Sequence, residues 1–232
     1  MKNILIAGAS SGIGLELAKQ LAGNNNVNLF TCSRSDFDLL NGRHTHICTD
    51  LLNETLPNVF IPDTLHGVVY CPGTINLKPF RGLTKEDFED DFRINVLGAV
   101  SLLQQVYKSL RSSGNASVIL FSTVAVSQGM PFHSSVAAAK GALEALGRSL
   151  AAEWAPGIRV NIVAPSLTDT PLASRLLSGD SKREAAAARH PLKRSGTPED
   201  IASMAAYLIS DQASWITGQV IGVDGGLSSL KV

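Results

Sequence analysis

"NILIAGASSGIGLELAKQL", residues 3–21, decides the fold. The run "NILIAG" reads as a β-strand, and a helix follows from about Gly12 to Leu21. Between them, Gly8, Gly12 and Gly14 allow a tight turn and let backbone approach backbone, with Ser10, Ser11 and Ile13 filling the other places. A helix opened this way presents free N–H groups at its first turn, which suits a pyrophosphate. A glycine-rich turn also joins strand to helix where no nucleotide binds, so the motif alone leaves both readings open.

Working outward, the same alternation continues. "VNLFTCS", "HTHICTD" and "GVVYC" read as strands, then an amphipathic stretch runs from Thr84 to Leu110. "ASVILFS" precedes a long helix around Lys140, and "IRVNIVA" precedes an Ala-rich segment from Leu172 to Arg189. A helix opened by "TPEDIA" and a last strand in "GQVIGVDGG" complete the series. Strands separated by helix-length segments call for an α/β fold, a parallel sheet with helices on both faces. Near-continuous Val, Ile and Leu in the strands fits burial of both sheet faces. With no repeat, linker or low-complexity tract, one domain over 1–232 is expected.

Formal net charge is zero, so no global field draws the chain to nucleic acid or to an anionic membrane. No apolar run approaches the roughly 20 residues that span a bilayer. The start flows straight into the glycine turn, as a first strand does and a signal peptide does not. Cys32, Cys48 and Cys71 are odd in number and far apart, which predicts free thiols in a reducing cytoplasm and no metal site.

The spacing G-x-x-x-G-x-G resembles that of short-chain dehydrogenases/reductases, and further motifs extend the resemblance over essentially the whole chain. They are "INVLGAV" with Asn95, "ILFST" before the helix of Lys140, "RVNIVAPS", "PLKRSGTPEDIASMAAYLIS" and "ITGQVIGVDGG", in the family's order. The branch most resembled contains the β-ketoacyl-carrier-protein reductases. The resemblance implies a three-layer, doubly wound Rossmann fold with a mostly parallel seven-stranded sheet. It also implies a nicotinamide cofactor and a homotetramer or homodimer built on the two long helices. Ser33 and Arg34 follow the second strand, where a carboxylate would bond the 2′-hydroxyl of NAD and an arginine suits the 2′-phosphate of NADP(H). Arg34 takes the NADP position, although Asp36 and Asp38 lie close by and a solvated surface arginine would look the same. Asp50 and Leu51 match the family's adenine contacts. Cys71, Gly73, Asn95, Lys140, Pro165, Thr168 and Thr170 match its contacts toward the nicotinamide end.

The chain departs from the family twice. The family opens its glycine loop with a threonine whose hydroxyl takes a backbone N–H from an Asn-Asn-Ala-Gly segment. Here Ala7 holds the first place and "YCPG" the second, with Pro72, which has no N–H, at the donor position. Acceptor and donor are lost together, so neither is stranded, which reads as rewiring rather than decay. The family's acid is a tyrosine four residues before the lysine, and that place is Val136. Thr123 stands at the serine position and keeps a hydroxyl, while Asn95 and Lys140 are retained. No tyrosine lies between Tyr107 and Tyr207, so no small slip of register recovers one.

His133 is the candidate substitute acid: 133, 136 and 140 share a helix face if the helix starts early enough, and histidine titrates near neutrality. A helix-capping or surface histidine would stand in the same place. Ser134 and Ser135 could cap the helix or orient a water, and His190 is a weaker candidate acid. Lys140, with no tyrosine beside it, could also reach the substrate oxygen through water. Loss of acid–base assistance costs about 10²–10⁴-fold in rate, which leaves a slow reductase possible.

Residues 166–196 are expected to form the substrate-covering loop, with Ser166 in place of the family's glycine. Lys182, Arg183, Arg189, Lys193 and Arg194 would receive an acidic carrier protein or a CoA phosphate, or are simply a solvated face. The function expected is an NADP(H)-dependent oxidoreductase acting on a small carbonyl or alcohol, an acyl thioester among the options. The alternatives are a catalytically silent NADP-binding sensor or partner subunit, and a structural oligomerisation subunit.

Overall fold

Seven parallel strands form one sheet in the order β3-β2-β1-β4-β5-β6-β7 in the computed structural model, which describes residues 1–37, 39 and 42–231. The elements run β1 (Lys2–Ala7), α1 (Gly12–Ala22), β2 (Val27–Ser33), β3 (Arg43–Cys48) and β4 (Gly67–Tyr70). They continue with α2 (Lys85–Phe92), α3 (Gly98–Ser112), β5 (Ala116–Phe121), α4 (Ser134–Trp154) and β6 (Ile158–Pro165). Then follow α5 (Asp180–Arg189), α6 (Pro198–Ile209) and β7 (Val220–Val223). This is the doubly wound Rossmann arrangement expected from the sequence.

Side chains alternate across the sheet, and helices bury both faces. Val118 and Leu120 of β5 join Leu102, Val106 and Leu143 under α3 and α4. Ile119 and Phe121 turn the other way, toward Leu17, Ile201 and Leu208 of α1 and α6. All six residues of β5 are buried, which explains its continuous apolar run. Strand order reverses between β1 and β4, and ligands of such sheets bind beyond the strand C-termini at that point.

The amphipathic stretch 84–110 is helical but not uniform. Thr84 caps α2 in a reciprocal capping box with Asp87. Beyond Phe92 the chain makes one π-helical turn, Arg93–Leu97, before α3 begins. Asn95 lies within this turn and is fully buried, and such π-turns are frequent at functional sites. Gly98 follows because a Cβ there would overlap the Tyr70 hydroxyl.

Candidate active site

The glycine turn leaves β1 at the switch point. Gly8 and Gly12 hold φ of +80° and +56°, the left-handed region that favours glycine. A Cβ on Gly14 would overlap the Gly8 carbonyl oxygen, so α1 starts closer to the loop than a side chain permits. Ser11 precedes α1 in extended conformation, its side chain makes no capping bond, and no acidic residue stands in the first turn. Those first-turn N–H groups are therefore open to an anion. Ser10 and Ile13 are half-buried beside them. The Cys71 N–H donates to the Ala7 carbonyl at 3.0 Å, and the Pro72 ring lies 3.1 Å from where a Cβ on Gly8 would sit. Pro72 therefore packs against the glycine turn itself, next to a backbone hydrogen bond that already ties β1 to the end of β4.

At the end of β2, the buried Ser33 hydroxyl donates to the Ser35 carbonyl at 2.7 Å. Arg34 is exposed, and among the described residues its guanidinium is in no ion pair, so it is available to a phosphate. Asp36 approaches His46 at 3.9 Å rather than Arg34. Asp38 lies outside the described residues. Asp50 closes a turn, accepting from Leu52 N at 3.1 Å and Asn53 Nδ2 at 2.8 Å, with half-buried Leu51 between.

Beyond β4 and β5 the structure gathers Gly73, Asn95 and Lys140. Lys140 is 6% exposed, and its ammonium donates to the Phe121 carbonyl at 2.7 Å. Burial lowers its pKa to about 8, against the raising influence of Cys71 and Asp91. Asn95 Oδ1 and Lys140 Nζ each lie 3.3 Å from the point a Cβ on Gly73 would occupy, so only glycine keeps that space open. Thr123 lies two residues beyond the end of β5; its oxygen accepts from Ala125 N at 3.3 Å, which leaves the hydroxyl proton to donate. Val136 sits one turn before Lys140, buried and unable to titrate. Tyr70 does not stand in for the missing tyrosine: its hydroxyl donates to the Ile94 carbonyl at 2.7 Å, and burial pushes its pKa up.

His133 is the residue preceding α4, and its Nδ1 is tied to the Pro131 carbonyl at 2.7 Å. Seven residues of helix, roughly 10 Å of rise, separate it from Lys140. Among the described residues no hydrogen bond joins it to Asn95, Thr123 or Lys140. Neither Ser134 nor His133 caps α4 by a side-chain bond, and the Ser135 hydroxyl is buried without a partner.

The two ends of the expected covering loop meet. Gly196 N donates to Leu167 O at 3.0 Å, and Asp169 N to Gly196 O at 2.9 Å. Pro165 ends β6, Thr168 is buried, and Thr170 packs against Gly12 at 3.4 Å from a notional Cβ, placing this loop over the glycine turn. His190 is buried with both ring nitrogens engaged, by the Ser166 hydroxyl at 2.7 Å and the Ala186 carbonyl at 2.8 Å. Within the basic segment, Arg183 pairs with Asp169 and Arg194 with Asp200, carboxylates drawn from outside the segment.

Sequence reasoning missed two residues of this site. Asp91 is 1% exposed in the last turn of α2, and its Oδ1 accepts the Thr74 hydroxyl at 2.6 Å. Asn95 Nδ2 donates to Thr74 Oγ1 at 2.9 Å and to the Asp91 carbonyl at 2.7 Å. Asp91 stands four residues before Asn95, on the same helical face, and that spacing was the signal available.

The fold and this site define a dinucleotide-site α/β protein with a lysine–asparagine centre. The family described as Enoyl-(Acyl carrier protein) reductase matches residues 49–228. A tropinone reductase homolog of Arabidopsis thaliana is 34% identical over 98% of this chain and 91% of its own length. A short-chain type dehydrogenase/reductase from Mycobacterium ulcerans superposes with TM-score 0.86 at 27% identity, covering 98% of this chain and 90% of that one. ElxO with NADP bound shares the fold, with TM-score 0.89 at 24% identity and 99% of each chain covered. The chain belongs to the short-chain dehydrogenase/reductase family.

Proposed function

We propose that this protein is an NADP(H)-dependent oxidoreductase that interconverts a small carbonyl compound and its alcohol, using a proton source other than tyrosine. The observation that carries the reading is the buried Lys140 ammonium, kept beside Asn95 and Gly73 although Val136 has replaced the acid it would serve. A buried lysine is costly to a fold, and among the described residues its one hydrogen bond is to the Phe121 carbonyl.

The residues present fit the cofactor. Gly8, Ser10, Ser11, Gly12, Ile13 and Gly14 would hold the pyrophosphate through the uncapped start of α1. Ser33 and Arg34 would hold the 2′-phosphate, and Asp50 and Leu51 the adenine. Cys71, Gly73, Asn95, Lys140, Pro165, Thr168 and Thr170 would surround the nicotinamide ribose and ring. ElxO, of the same fold, has NADP bound. When bound, the reduced nicotinamide supplies hydride to the carbonyl carbon. Thr123 donates its hydroxyl to the substrate oxygen, Lys140 supplies the proton, and Asn95 orients the groups around it. His133, at the start of α4, is the second proton source, and His133→Ala separates the two. An assembly as homotetramer or homodimer through α3 and α4, and a single domain lidded by residues 166–196, belong to the same reading.

The apolar Val136 favours one other reading, a protein that binds NADP and turns nothing over. NADPH fluorescence followed by oxidation with diketones, quinones, aldehydes and β-ketoacyl thioesters separates the two. Turnover by the wild type supports the enzyme; tight binding with turnover only in Val136→Tyr supports the silent binder.

A further inference from the structure

Removal from water disfavours the charged form of an ammonium, and a nearby negative charge opposes that effect. Among the described residues Lys140 is in no ion pair. Its ammonium donates to the Phe121 carbonyl of β5, and the Cys71 thiol after β4 and Asp91 from α2 act on it electrostatically, both favouring its charged form. Burial pushes the Cys71 thiol far up, so it is uncharged at neutral pH. Asp91 is the charge that remains.

The carboxylate of Asp91 is fixed on one side only. Thr74 donates to Oδ1, and Asn95 in turn donates to Thr74, so a chain of hydrogen bonds runs from Asp91 to the residue that faces Lys140 across Gly73. Among the described residues, Asp91 Oδ2 and Asn95 Oδ1 are both buried with no hydrogen-bond partner. A half-satisfied carboxylate is a poor structural element, since an apolar residue would pack there without the desolvation penalty.

We propose that Asp91 is a positioning residue of the proton-donating site: its buried carboxylate, aligned by Thr74 and Asn95, is the counter-charge that keeps Lys140 protonated for delivery to the substrate oxygen. The proposal rests on the reductase reading above. In the step it serves, a Lys140 N–H bond breaks and an O–H bond forms on the substrate oxygen as that oxygen gains negative charge. The neutral amine then takes a proton back from water, and Asp91 itself neither gives nor receives the proton.

The test is the titration of Lys140 itself, followed by carbon-13 NMR at lysine Cε and assigned by the signal missing in Lys140→Met. Asp91→Asn keeps the shape and can still accept from Thr74. Its Lys140 midpoint is expected to fall by about one unit, through loss of one partly screened opposite charge. Asp91→Glu should recover part of the shift. With a substrate in hand, the alkaline limb of kcat should move by the same amount. A folded Asp91→Asn with an unchanged Lys140 midpoint overturns the proposal. Should Asp91→Asn not fold, Thr74→Val must lower the midpoint by a smaller amount, and no change there overturns it equally. A midpoint shift without any wild-type turnover refutes the reductase reading, and not the coupling of Asp91 to Lys140.

Discussion

Lys140→Met is expected to stabilise the protein at neutral pH while removing its activity. Burial lowers the lysine from its ordinary 10.5 to about 8. At 1.36 kcal/mol per unit, those 2.5 units correspond to about 3 kcal/mol of stability forgone. Losing the hydrogen bond to the Phe121 carbonyl returns about 1 kcal/mol, so the net gain is about 2 kcal/mol. The sign follows from proton counting. Below pH 8 the lysine is charged in both folded and unfolded chains, and the full penalty applies. Between pH 8 and 10.5 the unfolded chain holds the extra proton, so wild-type stability rises with pH relative to the variant. Above that window both forms are neutral and the penalty is gone. Urea denaturation followed by tryptophan fluorescence, at pH 7 and pH 10, measures it. A variant no more stable than wild type at pH 7, or a gain that does not shrink toward pH 10, would refute the reasoning.

Arg34→Ala should weaken NADPH by about 10–100-fold and NADH hardly at all, because a charge-assisted contact to phosphate is worth about 1.5–3 kcal/mol; fluorescence titration with both cofactors reads the ratio. Val136→Tyr should raise kcat by about 10²–10⁴-fold with little change in NADPH affinity, since only proton transfer is altered; steady-state kinetics at saturating cofactor decide it. Gly14→Ala should destabilise the fold by about 1–3 kcal/mol and abolish measurable NADPH binding, because its Cβ would meet the Gly8 carbonyl oxygen; thermal melts with and without cofactor show both effects.

The sheet was legible because two-sided burial leaves strands as unbroken apolar runs, and β2 occupies Val27–Ser33 as its run "VNLFTCS" suggests. The lack of a backbone donor at Pro72 was legible for a different reason: a missing N–H is written in the residue type itself. Other features depend on packing between distant segments. Thr74 and Asp91 are 17 residues apart, and Ser166 and His190 are 24 apart, so no local spacing announces either bond. The π-helical turn that holds Asn95 is equally silent, because an amphipathic stretch reads the same with or without it. For His133 the sequence offered a shared helix face, and the structure adds that its ring is tied at the start of α4.

Hydride and proton chemistry should persist in this protein without a tyrosine. NADPH dideuterated at the nicotinamide C4, incubated with the purified wild-type protein and a panel of carbonyl compounds, tests it most directly by mass spectrometry of the alcohols formed. Deuterium is expected at the carbinol carbon of at least one product with wild type, and none with Lys140→Met. Bound NADPH that keeps all its label across the panel, while Val136→Tyr transfers it, would contradict this expectation.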